Sequence, residues 1–141
     1  MPGRLPYGIR YKYPHMTIEE KNIWEKFMTR YPERFETVDY DFRVGRGSPA
    51  PGEFQENWIR MVKMLSQKRI DVIGWVEDSP TIIEVKRRVG LSTLGQILGY
   101  RTLFMIDFKN FGKPDVLVVC EVISNDDMVV LKADDIPIVV V

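Results

Sequence analysis

The sequence predicts an α/β fold in which helices flank a mixed central sheet. Three observations carry that prediction. Segments with helical and strand periodicity interleave along the chain in the order α β α β β α β, with a further α and β to follow. Two adjacent β-rich segments, 69–77 (RIDVIGWVE) and 81–86 (TIIEVK), are linked by Asp78-Ser79-Pro80, which is turn chemistry, so they should form a hairpin. The length of 141 residues, with 45% hydrophobic and 28% charged residues, suits one globular domain with a real core.

The elements follow in order. Residues 1–16 are rich in Pro, Gly, Tyr and basic residues without a period, and read as an extended arm ahead of a single domain over 17–141. Thr17 opens a helix to about Arg30. Thr17-x-x-Glu20 is a capping box, in which each side chain satisfies a free backbone N–H at the helix start. Pro32 stops it, and Ile23, Trp24, Phe27 and Tyr31 fall on one face that should be buried. Residues 37–44 (TVDYDFRV) alternate, placing Val38, Tyr40, Phe42 and Val44 on one side of a half-buried strand. Gly and Pro content makes 45–52 a loop. Residues 53–67 have helical spacing through Phe54, Trp58, Met61, Val62 and Leu65. After the hairpin, Ser92 is the expected cap of a helix over about 93–107, with Leu94, Ile97, Leu98, Leu103 and Phe104 as its apolar surface. A buried strand is expected over 115–123, a short helix over 125–134 and a last strand over 136–141. Trp24, Trp58 and Trp75 are assigned to the core rather than to stacking surfaces.

Composition narrows the chemistry. One cysteine, Cys120, excludes an intrachain disulfide and a cysteine-based zinc site, and reads as a small buried apolar residue. One histidine, His15, excludes multi-histidine metal sites, so catalysis must lean on carboxylates and lysine. The formal net charge of zero argues against strong non-specific DNA affinity, although Lys86, Arg87 and Arg88 sit together. No apolar run approaches the length of a membrane span, and the N-terminus lacks an apolar signal core. The expected location is the cytoplasm.

Three charged residues stand where strands should be apolar. Asp71 interrupts the first arm of the hairpin; Glu84 and Lys86 interrupt the second, and their spacing of two sends both to one face. Charges are costly to bury unless they pair or bind a metal, so two carboxylates and an ammonium converging on one spot form a candidate site. Mg²⁺ favours a few carboxylate oxygens.

The stretch Arg69-Ile70-Asp71 … Ile83-Glu84-Val85-Lys86 resembles the PD-(D/E)xK nuclease superfamily, with Ile70 in place of the proline of that name. Gln96 and Tyr100, four apart on the next helix and hence on one face, resemble the Q-x-x-x-Y motif of the RecB-like and lambda-exonuclease-like branches. The resemblance covers roughly residues 17–122. It implies a restriction-endonuclease-like αβββαβ core, an inserted helix after the first strand and a C-terminal αβ extension. It also implies a nuclease that hydrolyses DNA with Mg²⁺ or Mn²⁺. Asp71 and Glu84 would hold the metal, with the Val85 carbonyl as an extra ligand. Lys86 would act on the attacking water, with Gln96 and Tyr100 supporting the site. An acidic residue on the first helix completes the superfamily site, and Glu20 is the choice, with Glu19 its neighbour. Arg69, Arg87 and Arg88 are candidate phosphate contacts.

Two other functions remain open at this stage. The first is a nuclease fold used as a structural or assembly part, as in phage heads and necks, located in a host cytoplasm or virion. The second is a Holliday-junction-type resolvase. The arm, with Tyr7, Tyr11 and Tyr13 among Arg4, Arg10 and Lys12, could track a nucleic-acid strand or dock on a second copy or an assembly partner.

Overall fold

A computed structural model describes residues 3–47 and 56–141 of the chain. Within them, six strands form one sheet in sequence order: β1 (Leu5–Pro6), β2 (Thr37–Val44), β3 (Lys68–Val76), β4 (Ser79–Val89), β5 (Asp115–Ile123) and β6 (Ile138–Val140). The first four pair antiparallel, and β4–β5 and β5–β6 pair parallel, so the sheet is mixed. The helices are α1 (Ile18–Arg30), α2 (Glu56–Ser66), α3 (Leu91–Asp107) and α4 (Asn125–Ala133), with a short 3-10 turn at Lys109–Phe111. Parallel strands need a crossover between them. The β4–β5 crossover contains α3, and the β5–β6 crossover contains α4.

The two faces of the sheet are covered separately. On one, Ile23, Trp24, Phe27 and Met28 of α1 pack on Val38, Tyr40, Val72, Ile83, Val85, Leu117 and Val119. On the other, Ile97 and Phe104 of α3 and Leu131 of α4 pack on Ile70, Ile73, Trp75, Ile82, Val116, Val118 and Cys120. Val116 to Cys120 are buried without interruption, as expected of a central parallel strand with helices on both faces. Burial pushes the Cys120 thiol up to about 11, so it behaves as an apolar filler. Gly74 is required by packing: a Cβ there would lie 2.6 Å from the Phe35 ring.

Most expected elements appear, with differences that have physical causes. The Thr17–Glu20 capping box forms in both directions. On α1 the buried face takes Met28 and leaves Tyr31 exposed, because Tyr31 is already the C-cap and has left the helical path. Helix α3 begins before Ser92, with Gly90 as N-cap and no side-chain cap bond, so Ser92 lies inside the first turn. Phe54 and the loop residues 48–52 fall outside the described residues. Trp58 is not in the core; it is 42% exposed on α2, beside exposed Ile59 and Met61.

The N-terminal segment does not project as an arm. Leu5 and Pro6 pair with Val38 and Thr37 and extend the sheet by an edge strand. Gly3 N–H donates to Thr37 Oγ1 at 2.9 Å. The Arg4 guanidinium bonds Asp39 Oδ1 at 2.9 Å, and Trp75 Nε1 donates to Asp39 Oδ2 at 3.0 Å, which satisfies a carboxylate only 2% exposed. Tyr7 packs edge-on against Trp24 and Phe35, and Tyr13 is buried against Tyr40. Pro and Gly content hid this pairing, because the apolar anchors of the segment alternate with no period.

The expected common face of β2 also breaks. Val38 and Tyr40 face α1, whereas Phe42 and Val44 pack on the α3 side. The reversal falls at Asp41, which has φ 49°. A left-handed residue turns the chain so that the alternation restarts on the other face. On β3 the same reversal separates Ile70 from Val72, around Asp71. The β2–β3 ladder pairs Tyr40 with Val72 and Phe42 with Ile70 and omits the Asp41–Asp71 rung between them. Strand strain of this kind sits beside the site predicted from the sequence.

Candidate active site

The β3–β4 ladder runs from Val76–Ser79 to Val72–Ile83 and stops there. The next residues on each strand are Asp71 and Glu84. Where the ladder ends, the Val85 N–H turns to the Asp71 side chain and donates to Oδ2 at 3.0 Å. The opposite edge of β4 stays in register with β5, pairing Glu84 with Val118 and Lys86 with Cys120. The site is therefore held by a central parallel pair on one side and opened by an interrupted antiparallel pair on the other.

Glu84 is 4% exposed, and its Oε2 is buried with no hydrogen-bond donor among the described residues. The nearest cation, Lys86 Nζ, is 4.0 Å from Oε1. Burial first, and then the Asp71 carboxylate, raise the Glu84 carboxyl to about 9 against the lowering effect of Lys86. Burial likewise raises Asp71 to about 6, against the lowering effect of the Val85 N–H. The two carboxyls are close enough to share a hydrogen bond when one is protonated. Two buried like charges in contact cannot both ionise cheaply, so near neutral pH the pair retains a proton. A buried acceptor without a donor and two oxygens competing for one proton form a site that favours an added cation.

Lys86 is aimed by α3. Its Nζ donates to Gln96 Oε1 at 2.6 Å. Tyr100, one turn on, is half-buried, and burial raises its hydroxyl to about 12, with Glu84 and then Asp71 adding to the effect. The structure thus brings Asp71, Glu84, Val85, Lys86, Gln96 and Tyr100 into one neighbourhood. Glu20 adds to the upward shift of both carboxyls, so it lies within electrostatic reach. Its own Oε1 accepts the Thr17 N–H at 3.1 Å, and no three of His, Cys, Asp and Glu converge at metal-holding separation among the described residues. Glu20 is therefore placed as a capping residue facing the pair from α1.

The three arginines separate. Arg87 lines an open groove of about 820 Å³ on the α1 side with Glu19, Asn22, Lys26 and Glu121. Arg88 is exposed and pairs in register with Val122. Arg69 joins a cluster that the sequence reading missed: its Nε is 3.8 Å from Asp41 Oδ1, and its Nη1 is 3.2 Å from His15 Nδ1. His15 Nε2 is 3.2 Å from Asp41 Oδ2, and Arg43 Nη2 is 3.9 Å from the same oxygen. The available signal was an aspartate inside a strand, Asp41, which falls at the rung that the β2–β3 ladder omits; only the fold brings His15 to it. Of the N-terminal tyrosines, Tyr7 donates to the Tyr31 carbonyl at 2.7 Å and Tyr13 to Glu25 Oε2 at 2.9 Å, while Tyr11 is 94% exposed.

Comparison with known proteins bears on the fold. The chain is similar to the crystal structure of a repair endonuclease from Pyrococcus abyssi, with a TM-score of 0.50 and 13% identity, covering 94% of this chain and 49% of that one. This chain thus spans about half the length of that endonuclease. At that identity the likeness speaks to the fold alone: a mixed six-stranded sheet flanked by helices, like that of a repair endonuclease. A protein of unknown function, AF1548, aligns at a TM-score of 0.46 and 11% identity over 86% of this chain and 57% of its own. No protein-family description and no curated protein matches the sequence. Among the described residues, no helix is long and apolar enough to cross a membrane.

Proposed function

We propose that this chain is a PD-(D/E)xK-type nuclease that hydrolyses DNA phosphodiester bonds with Mg²⁺ or Mn²⁺. The observation that carries the reading is the buried Asp71–Glu84 pair, with no donor to Glu84 Oε2 among the described residues and the Lys86 ammonium held beside it. The likeness in fold to a repair endonuclease supports it.

The donor set fits a hard divalent cation. Asp71 and Glu84 supply carboxylate oxygens, and the Val85 carbonyl would add a third protein donor. When bound, such an ion acidifies a water and neutralises charge on a phosphate under attack. The remaining chemistry belongs to the chain. The Lys86 ammonium orients the attacking water through a donated hydrogen bond and offsets charge that builds on the phosphate oxygens. Gln96 holds Lys86 at a fixed point, which shortens the search for a productive geometry. Tyr100 stays protonated at neutral pH and can donate a hydrogen bond at the mouth of the site. The assembly reading is left with less of the segment expected to grip neighbours, because Arg4, Leu5 and Pro6 are committed to the chain's own sheet while Ile9 and Tyr11 stay exposed.

The test is cleavage of linear, nicked, branched and single-stranded DNA with Mg²⁺ or Mn²⁺. Wild type should cut at least one of them. Lys86→Ala and Asp71→Ala should lower the rate by about a thousandfold while the circular dichroism spectrum is unchanged. A wild-type chain that cuts none of these substrates, or a Lys86→Ala protein as active as wild type, overturns the reading.

A further inference from the structure

A groove of about 390 Å³ runs along α3, lined by Lys68, Gly95, Gln96, Gly99, Tyr100 and Leu103. Two of its walls adjoin the candidate active site: Gln96 accepts from Lys86 Nζ, and Tyr100 lies within electrostatic reach of Glu84 and Asp71. A second cavity of about 290 Å³ shares Lys68 and Leu103 with it and adds Arg46. Arg46 and Lys68 therefore place positive charge along these cavities, and Gln96 links their wall to the Lys86 ammonium. No carboxylate lies within ion-pair distance of Lys68 among the described residues.

The floor of this path has a feature that internal packing does not explain. Gly95 and Gly99 are four apart, hence on one face of the helix. Among the described residues, and apart from the helix's own backbone, a Cβ built at either position meets no heavy atom within 4 Å. Both have ordinary helical backbones, since neither is among the glycines with positive φ. Glycine inside a helix costs stability relative to alanine, and here no close contact with another described residue comes of it. Among the described residues this leaves room beside the helix backbone, next to Lys68.

We infer that this groove is the track for one DNA strand beside the scissile phosphate, with Lys68 holding a neighbouring phosphate and Gly95 and Gly99 admitting the sugar–phosphate backbone against α3. The inference rests on the proposed nuclease function for the identity of the ligand. An unpaired lysine and a smooth floor suit a polyanion that slides in lengthwise, as single strands do in basic grooves. Lys68 is a phosphate contact rather than a catalytic residue, because it touches neither carboxylate.

The test is binding of a short labelled single-stranded DNA, followed by fluorescence anisotropy in EDTA so that no cleavage intervenes. Lys68→Glu should weaken binding about tenfold and lower the salt dependence, the slope of log K against log salt falling by about 0.7. Gly99→Leu should weaken binding about tenfold while its thermal midpoint stays at or above that of wild type, since leucine is the better helix former. Lys132→Glu, on α4 and outside the groove, should bind within about twofold of wild type. A wild-type chain that does not bind, or Lys68→Glu and Gly99→Leu proteins that bind as wild type does, overturns the track. Gly99→Leu with a lowered midpoint would show the glycine to be structural and overturn its part in the track. The Mg²⁺ cleavage assay is read separately. Binding that depends on Lys68 and Gly99 without any cleavage sinks the catalytic proposal and keeps the track; cleavage with binding indifferent to both residues does the reverse.

Discussion

Near its turn, the β3–β4 hairpin pairs Val76 with Ser79, Trp75 with Pro80, Gly74 with Thr81 and Ile73 with Ile82, and its inward side chains are buried in apolar surroundings. Beyond Val72–Ile83 the same two strands carry Asp71, Glu84 and Lys86, the ladder stops, and a buried carboxylate oxygen lacks a donor. One half of the hairpin is built for stability. The other holds repulsive charge that only the rigidity of the first half and of β5 keeps in place. Sites that hold charge this way are less stable than they could be, and removing the charge should show it.

The largest effect is expected in the turn half. Trp75 is fully buried and its Nε1 donates to the buried Asp39 carboxylate. Trp75→Ala should lower stability by about 3–5 kcal/mol, measured by urea unfolding. If that variant unfolded at wild-type urea concentrations, the division between the halves would not hold.

A smaller effect of opposite sign is expected in the open half. Glu84→Gln removes one of two adjacent buried carboxylates and should raise stability in EDTA at pH 8 by about 0.5–2 kcal/mol while abolishing cleavage. The pH dependence sharpens the point. Both carboxyls have folded pKa values above their ordinary ones, Asp71 at about 6 and Glu84 at about 9. The folded chain therefore binds more protons than the unfolded chain between the ordinary carboxylate range and those values. Their contribution is fully present at acid pH and is lost as pH rises through about 6 and then about 9. The wild-type thermal midpoint in EDTA should fall across that window, Glu84→Gln should flatten the fall, and Mg²⁺ should raise the midpoint most at the alkaline end. A midpoint that rises between pH 6 and 9 in EDTA would contradict a buried pair that retains a proton.

The smallest contrast separates two helix starts. Thr17→Ala removes the hydrogen bond from the Glu20 N–H to Thr17 Oγ1 at the start of α1 and should cost about 1 kcal/mol. Ser92→Ala should change stability by less than about 0.5 kcal/mol, because Gly90 is the N-cap of α3 and Ser92 makes no cap bond. Thermal melts of the two variants compare the caps directly.

Local chemistry made much of this legible in advance. The capping box at Thr17 and the continuous apolar segment of β5 depend on residues close in sequence and appear where expected; the hairpin forms too, but its turn sits at Glu77-Asp78, and Ser79 and Pro80, expected in the turn, open β4 instead. The spacing of two between Glu84 and Lys86 is a property of any strand. What could not be read is whatever depends on distant partners. Leu5–Pro6 becomes a strand only because the β2 edge is free to pair with it. His15 reaches Asp41 only through the docking of the N-terminal segment. Trp58 has helical spacing like a core residue and yet lies on the surface of α2.

Pattern and turn chemistry by themselves determined which segments are helix or strand, that two adjacent strands form a hairpin, and that a carboxylate on one strand faces a carboxylate–lysine strand on the other. Those follow from the periods of 3.6 and 2 and from the few residues that close a turn. Tertiary structure decided where the ladder stops, which face each half of β2 and β3 turns to, that Gln96 rather than a carboxylate accepts from the Lys86 ammonium, and that Gly95, Gly99 and Lys68 line a groove together with Gln96 and Tyr100. These depend on the left-handed turn at Asp41 and on the burial of charge between packed elements, neither of which a one-dimensional pattern can express.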